Sequence, residues 1–258
     1  MEKAAAVFIS DYLFPMKQLL SLLLLFVGSM LTACDDNDVF RNRLKGEGPT
    51  VSESRSVAAF SGLDLNIDAD VYLTQGTEQS VRVEGQRNML DILRTDVRDG
   101  RLSIKFDYRG NLESHDAIRV YITLPTLTSV SVSGSGQVQG EGLWGVQDLS
   151  LNVNGSGGIN FPQLGARDLR TSIAGFGNVR LGGDVRRHRL EINGSGEVNA
   201  FELTQATADV RISGSGNTRL HVTQALDATI NGSGTVYYRG QPTVTPRVSG
   251  SGRVINSN

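Results

Sequence analysis

The chain has little with which to lock itself or to charge itself. A single cysteine, Cys34, stands among 258 residues, so no disulfide can close within it. Lysine plus arginine number 25 against 27 aspartate plus glutamate. That balance denies it the basic field on which binding to a phosphate backbone depends, and nucleic acid is not an expected partner. Aromatic residues are only 6% of the sequence, and no apolar run reaches the ~20 residues that span a bilayer as a helix. Glycine is plentiful, at 30 residues. Few aromatics and much glycine fit stacked short strands and tight corners better than a helical globule.

The single cysteine has a local explanation. Lys17 precedes an apolar run from Leu19 to Val27, broken only by Ser21, and Leu31-Thr32-Ala33-Cys34 follows. A basic residue, a short apolar core and small residues before a cut describe a secretory signal over residues 1–33. Met16-Lys17-Gln18 opens a well-proportioned signal by itself, so Met16 is a candidate start, with a long n-region as the alternative. Leu-Thr-Ala-Cys is similar to the bacterial lipobox, whose cysteine is lipidated after cleavage. That similarity implies a lipid on Cys34 and attachment to a membrane. Residues 34–50, opening on Asp35-Asp36-Asn37-Asp38, carry no apolar pattern and are expected to form a solvated tether. Asp35-Asp36 resembles an inner-membrane retention signal of some bacteria, whereas an acidic patch there accompanies surface export in others. The expected location is the cell envelope, with the outer membrane or cell surface ahead of the inner membrane.

From 51 to 125 apolar and polar residues alternate, as in Leu63-Asp64-Leu65-Asn66-Ile67, Val71-Tyr72-Leu73, Val81-Arg82-Val83 and Leu102-Ser103-Ile104. Gly62, Gly76, Gly85 and Asp99-Gly100 bound these runs, so they read as half-buried strands. Only Asn88 to Leu93 has the makings of a short helix, and Pro125 marks a break.

Residues 126–258 are a repeat. A Gly-x-Gly corner recurs with its first glycine at Gly134, Gly155, Gly175, Gly194, Gly214, Gly232 and Gly250, at spacings of 21, 20, 19, 20, 18 and 18 residues. A nearly fixed period signals a solenoid. Two residues before each corner stand Val132, Val153, Ile173, Ile192, Ile212, Ile230 and Val248; two after it stand Val138, Ile159, Val179, Val198, Thr218, Val236 and Val254. All are β-branched, and side chains alternate across a strand, so both columns are expected to face the core. Asn-Gly is also a hairpin signal, but a hairpin meander does not require like residues at this period. The expected fold is all-β: a parallel β-helix, or β-solenoid, of about seven Gly-Ser-Gly rungs, preceded by a β-rich part continuous with it.

Catalytic chemistry on such a scaffold needs acids converging from adjacent rungs. Three residues before each corner stand Ser131, Asn152, Ser172, Glu191, Arg211, Thr229 and Arg247; just after it stand Gln137, Gly158, Asn178, Glu197, Asn217, Thr235 and Arg253. Neither phase brings two acids together, and Glu191 beside Arg211 reads as a charge pair. His115, His188 and His221 share no phase and are expected to be solvated or locally bonded. The run Arg186-Arg187-His188-Arg189 is expected in a solvated turn. Gly140-Glu141-Gly142-Leu143-Trp144-Gly145 matches a dinucleotide fingerprint without its strand–helix setting and is set aside. Asn154, Asn193 and Asn231 open Asn-Gly-Ser sequons but read as turn residues, and the repeat lacks the recurring aspartate of calcium-binding β-rolls. No catalytic residue, metal ligand or cofactor is expected. Phe176 replaces the corner serine in the third copy, where it serves either as a contact for a ligand or as packing against a neighbouring loop.

The Ser-Val-Ser-Gly-Ser-Gly run from Ser131 and its recurrences, with Phe60-Ser61-Gly62-Leu63 and Val71-Tyr72-Leu73-Thr74-Gln75-Gly76 upstream, are similar to the bacterial GIN-domain family, described as adhesin head domains of auto-transporters. The resemblance extends over about Val51 to Asn258. It implies a β-solenoid, an envelope location and adhesive binding, and it brings no catalytic residues. The expectation is a non-enzymatic lipoprotein that presents a solenoid to a glycan or a surface protein. A solenoid enzyme acting on polysaccharides and a purely structural periplasmic protein are the rivals.

Overall fold

The computed structural model describes residues 43–258; Cys34, the segment 1–33 and the start of the tether lie outside the described residues. The structure is nearly all-β, with 71% strand and 3% helix, and its stacked parallel strands make a β-solenoid of about 6 turns.

The two β-branched columns become continuous ladders. Val132, Val153, Ile173, Ile192, Ile212, Ile230 and Val248 are successive partners in parallel register. Val138, Ile159, Val179, Val198, Thr218, Val236 and Val254 do the same on the far side of each corner. From Val132 to Ile230 and from Val138 to Val236 every member is buried. The apolar side chains of one rung therefore lie on those of the next, and the hydrophobic gain accrues rung by rung. Val248, expected in the core, is 44% exposed. Among the described residues no strand pairs with the outer edge of Thr243–Gly250, so nothing there covers it.

The ladders also run back into the N-terminal part. Gly62–Leu65 pairs in parallel with both Ser129–Gly134 and Arg101–Phe106, which puts Leu65 and Ile104 in line with Val132. Asp70–Gln75 joins Gln137–Glu141 to Arg119–Leu124 in the same way. Three antiparallel pairings then depart from the coil: Thr50–Ser54 on Ser80–Gln86, Ser80–Gln86 on Arg119–Leu124, and Leu93–Arg98 on Arg101–Phe106. Among the described residues the one helix, Arg87–Ile92, buries Met89 and Leu90. It lies within a residue of its expected position.

The corners explain why two glycines recur. The first has φ between 108° and 136° in all seven copies, a region that side chains with a Cβ rarely adopt. The second is not left-handed, and its constraint is space. A Cβ on Gly196 would lie 2.6 Å from Ile173 Cγ2 and 2.8 Å from the Gly177 carbonyl oxygen. The strand ladder continues around the bend, because Ser195 N–H donates to the Gly175 carbonyl at 2.9 Å and Glu197 N–H to that of Gly177 at 3.0 Å. Gly194→Ala meets both a positive φ and the Gly175 carbonyl at 2.6 Å, and a loss of about 2 kcal/mol is expected on urea unfolding. Gly145→Ala, with open space at its Cβ, is expected to cost less than half as much.

A second, small unit contains Arg43–Leu44 and Gly110–Glu113 among its described residues. There Arg43–Leu44 pairs in parallel with Asn111–Leu112. The segment expected as a solvated tether up to residue 50 thus carries a short strand, with Arg43, Lys45 and Glu47 still exposed. Within the larger unit, Asn88 Nδ2 donates to the Lys45 carbonyl at 2.7 Å, and Asn88 Oδ1 accepts the Glu47 N–H at 3.0 Å. These contacts order the end of the segment, and composition alone did not show them.

Candidate functional site: a charged trough along the stack

On the arm of each rung that leads into the corner, Leu149, Leu169, His188, Ala208 and Leu226 are successive partners and point inward. Alternation sends their neighbours outward. One outward column reads Asp148, Asp168, Arg187, Thr207 and Ala225; the other reads Ser150, Arg170, Arg189, Asp209 and Asp227. Between them lies an open trough of about 660 Å³, with Thr128 at one end. At ~4.8 Å per rung it extends ~19 Å along the stack.

The columns stand seven and five residues before the first glycine of each corner. The two phases read from the sequence were others, so the adjacent pairs Asp148–Asp168 and Asp209–Asp227 went unseen although constant spacing encodes them.

Arginines hold most of these acids. Arg187 Nε and Nη2 both donate to Asp168, the latter at 2.7 Å, and Arg167 Nε donates to it at 2.8 Å. Arg167 also places Nη2 3.1 Å from both oxygens of Asp148. The hydrogen bonds from Arg187 and then Arg167 keep the Asp168 carboxyl well below the usual carboxylate range. Asp209 pairs with Arg211 at 3.0 Å and with Arg189 at 3.6 Å. The expected Glu191–Arg211 pair does not form. The two are strand partners, but Arg211 turns to Asp209, and Glu191 accepts from Asn193 Nδ2 at 2.9 Å.

His188 corrects the reading of the basic run. Arg186 to Arg189 belong to the strand Asn178–Gly194, not to a turn, and His188 is only 2% exposed. Its Nδ1 is 2.7 Å from Gln205 Oε1 and its Nε2 is 2.9 Å from Thr171 Oγ1, and both partners are fully buried. The amide oxygen accepts, so Nδ1 carries the proton and Nε2 accepts from the threonine hydroxyl. Gln205 Nε2 donates in turn to the Leu203 carbonyl at 3.3 Å. Burial pushes the imidazole down to about 4, against the opposing hydrogen bond that Nδ1 donates to Gln205. His115 Nδ1 lies 2.7 Å from the Asp116 carbonyl oxygen, well away in sequence from the trough, and His221 is not among the trough residues. Thr218, an inward member of its ladder, leaves Oγ1 without a partner among the described residues.

Phe176 is 74% exposed at the corner, which leaves it open to a ligand and removes the packing alternative. Gly140 to Gly145 span the end of one strand and the start of another, with Trp144 buried and Leu143 72% exposed. No helix follows, so the nucleotide fingerprint has no structural counterpart. Among the described residues no group of three or more His, Cys, Asp or Glu is placed to hold a metal ion. No described helix is long and apolar enough to cross a membrane.

Residues 59–242 match the family model described as "Putative auto-transporter adhesin, head GIN domain". The chain belongs to this GIN-domain family. Several solved structures share its fold. One is a putative adhesin from Bacteroides fragilis NCTC 9343, 24% identical, which covers 83% of this chain and 100% of its own with a TM-score of 0.77. Another is a putative lipid binding protein from Parabacteroides distasonis ATCC 8503, 23% identical over 84% of this chain and 100% of its own, with a TM-score of 0.70. A third is a putative adhesin from Parabacteroides merdae ATCC 43184, 21% identical over 84% of this chain and 100% of its own, with a TM-score of 0.69. No curated protein matches the chain.

Proposed function

We propose that this GIN-domain protein is a lipid-anchored envelope protein that presents its solenoid to a glycan or a surface protein and binds without chemistry. The electrostatic state of the trough carries the reading. A glycan-cleaving site needs a carboxylic acid held protonated near neutral pH. Here Arg187 and Arg167 hold Asp168 ionised, Arg167 grips Asp148, and His188 is spent on Thr171 and Gln205. Preformed charge pairs on a rigid face suit recognition. The adhesin descriptions of the family and of two of the solved structures agree with that use.

Protease shaving of intact cells is expected to remove the protein, and the purified chain is expected to coat cells or glycans and leave them uncut. Protection in intact cells, with digestion only after the envelope is opened, would replace adhesion with a periplasmic role. Cys34→Ser is expected to abolish palmitate labelling; unchanged labelling would end the lipoprotein reading. Phe176→Ser restores the residue found in the other corners, so its thermal midpoint should stay within a degree or so. A marked drop in cell coating at unchanged stability would make Phe176 a contact residue, and unchanged coating would remove it from the interface.

A second reading has one observation in its favour, the adjacent acids Asp209 and Asp227, the latter with no ion pair among the described residues. Reducing ends released from polysaccharide, and lost in Asp227→Asn, would establish a hydrolase instead.

A further inference from the structure

We propose that the middle of the trough, at Arg170 and Arg189, grips the carboxylate of an acidic polysaccharide laid along the stack. The inference rests on the adhesive reading and names its ligand class. Arg170 and Arg189 are strand partners, so their side chains leave adjacent rungs ~4.8 Å apart. Like charges directly opposite each other weaken a sheet, and little in the protein neutralises these two. Among the described residues the Arg170 side chain makes no hydrogen bond or ion pair, and that of Arg189 has only the 3.6 Å pair with Asp209. Two forked donors side by side match a carboxylate, whose oxygens take parallel bonds from a guanidinium.

The surroundings decide what carries that carboxylate. The trough is open and ~19 Å long, which fits a polymer better than a compact small molecule. Ser150 and Thr207 line its walls, with Thr128 at one end, and can exchange hydrogen bonds with sugar hydroxyls. A sugar ring in an extended chain is about as long as one ~4.8 Å rung spacing, so successive rings can meet successive rungs. Acids stand around the arginine centre: Asp148 in the rung before it, Asp168 beside Arg170 in its own rung, and Asp209 and Asp227 in the two rungs after it. Asp227 has no neutralising partner among the described residues. Asp148, Asp168 and Asp209 are already paired with arginines, so Asp227, two rungs beyond Arg189, is the acid that repels a further carboxylate or phosphate placed at that end. A polymer in which an acidic sugar is separated from the next by neutral ones avoids that clash.

The test uses the full chain in detergent, titrated with fragments of de-acylated gellan, in which glucuronate is interspersed with neutral sugars. The expected result is binding that weakens at least about tenfold when the carboxyl groups are reduced to alcohols, the size of a lost charge-assisted pair. Arg170→Gln and Arg189→Gln should each weaken it similarly, while Arg247→Gln, exposed and outside the trough, should not. Polygalacturonate should bind less well than gellan fragments. Equal affinity for native and reduced fragments, or unchanged binding by Arg170→Gln, overturns the inference. So does Arg170-dependent binding to phosphatidylglycerol vesicles in place of gellan, which would assign the arginines to a lipid phosphate. Cell coating separates the two levels of the argument. If the double variant R170Q/R189Q coats cells as the parent chain does, the trough inference fails and adhesion stands. If the parent chain coats no cells, the adhesive reading itself fails.

Discussion

Ile192→Asp is expected to lower the unfolding free energy by about 5 kcal/mol, the sum of a lost buried side chain and an unpaired buried carboxyl. Ile192 is fully buried, with Ile173 and Ile212 as its partners in the rungs on either side. An aspartate there loses apolar contacts with both, and no partner within the core can take its charge. The carboxyl either stays ionised at high cost or takes up a proton, and both outcomes weaken the fold. In a stack each rung contacts only its neighbours, so the damage also interrupts coupling between the earlier and later rungs. Ser195→Asp, at the exposed corner three residues on, should change stability by no more than about 0.5 kcal/mol. Urea titrations followed by circular dichroism would compare the two, and matching midpoints would show the core register to be wrong.

That register was legible because two local signals agree. β-branched residues recur at a fixed distance from a glycine corner, and alternation then assigns every neighbour a side. The same arithmetic, carried to seven and five residues before the corner, encodes the Asp–Arg columns. What one phase cannot show is which partner an arginine selects among several acids within reach. Arg211 takes Asp209 over Glu191, reaching two residues back along its own strand to the neighbouring column. Beyond the corner the phase decays. The ladder shifts between Phe161 and Leu164, between Arg180 and Gly182, and between Ala200 and Thr204. Counting from the glycine therefore fails where rungs differ in length. The N-terminal levels lack the corner motif, so the alternation of Leu63 and Leu65 marked a strand without revealing that it stacks on Val130 and Val132. The basic run around His188, expected in a solvated turn, was misread for another reason. A histidine among three arginines looks solvated until alternation within the strand is applied, and the buried amide and hydroxyl that satisfy it come from neighbouring rungs.

Stability is expected to fall as the pH drops from about 6.5 towards 4, by roughly 3 kcal/mol in all, because His188 cannot take up a proton inside the fold. Burial holds its folded value down to about 4, whereas in the unfolded chain it titrates near the model value of 6.5. Between those limits the unfolded state binds the proton and the folded state does not, so acid favours unfolding. The stabilisation is complete above the unfolded value and gone below the folded one. The neighbouring Arg187 and Arg189 point outward, away from the ring, and Thr171 and Gln205 carry no charge, so the interior offers nothing to offset an imidazolium. Asp168 does not obscure this window. Its carboxyl is lowered by Arg187 and Arg167, so the stability it lends is retained until still more acidic conditions. His188→Gln keeps a donor and an acceptor for Gln205 and Thr171 but should start less stable at pH 7, because the amide does not fill the space of the ring. It should also lose the downward slope between pH 6.5 and 4.5. Urea midpoints measured across that range for both proteins provide the comparison. If the parent chain and His188→Gln fall in parallel, the ring accepts its proton within the fold, and the closed hydrogen-bond chain from Thr171 to Gln205 is not what the core contains.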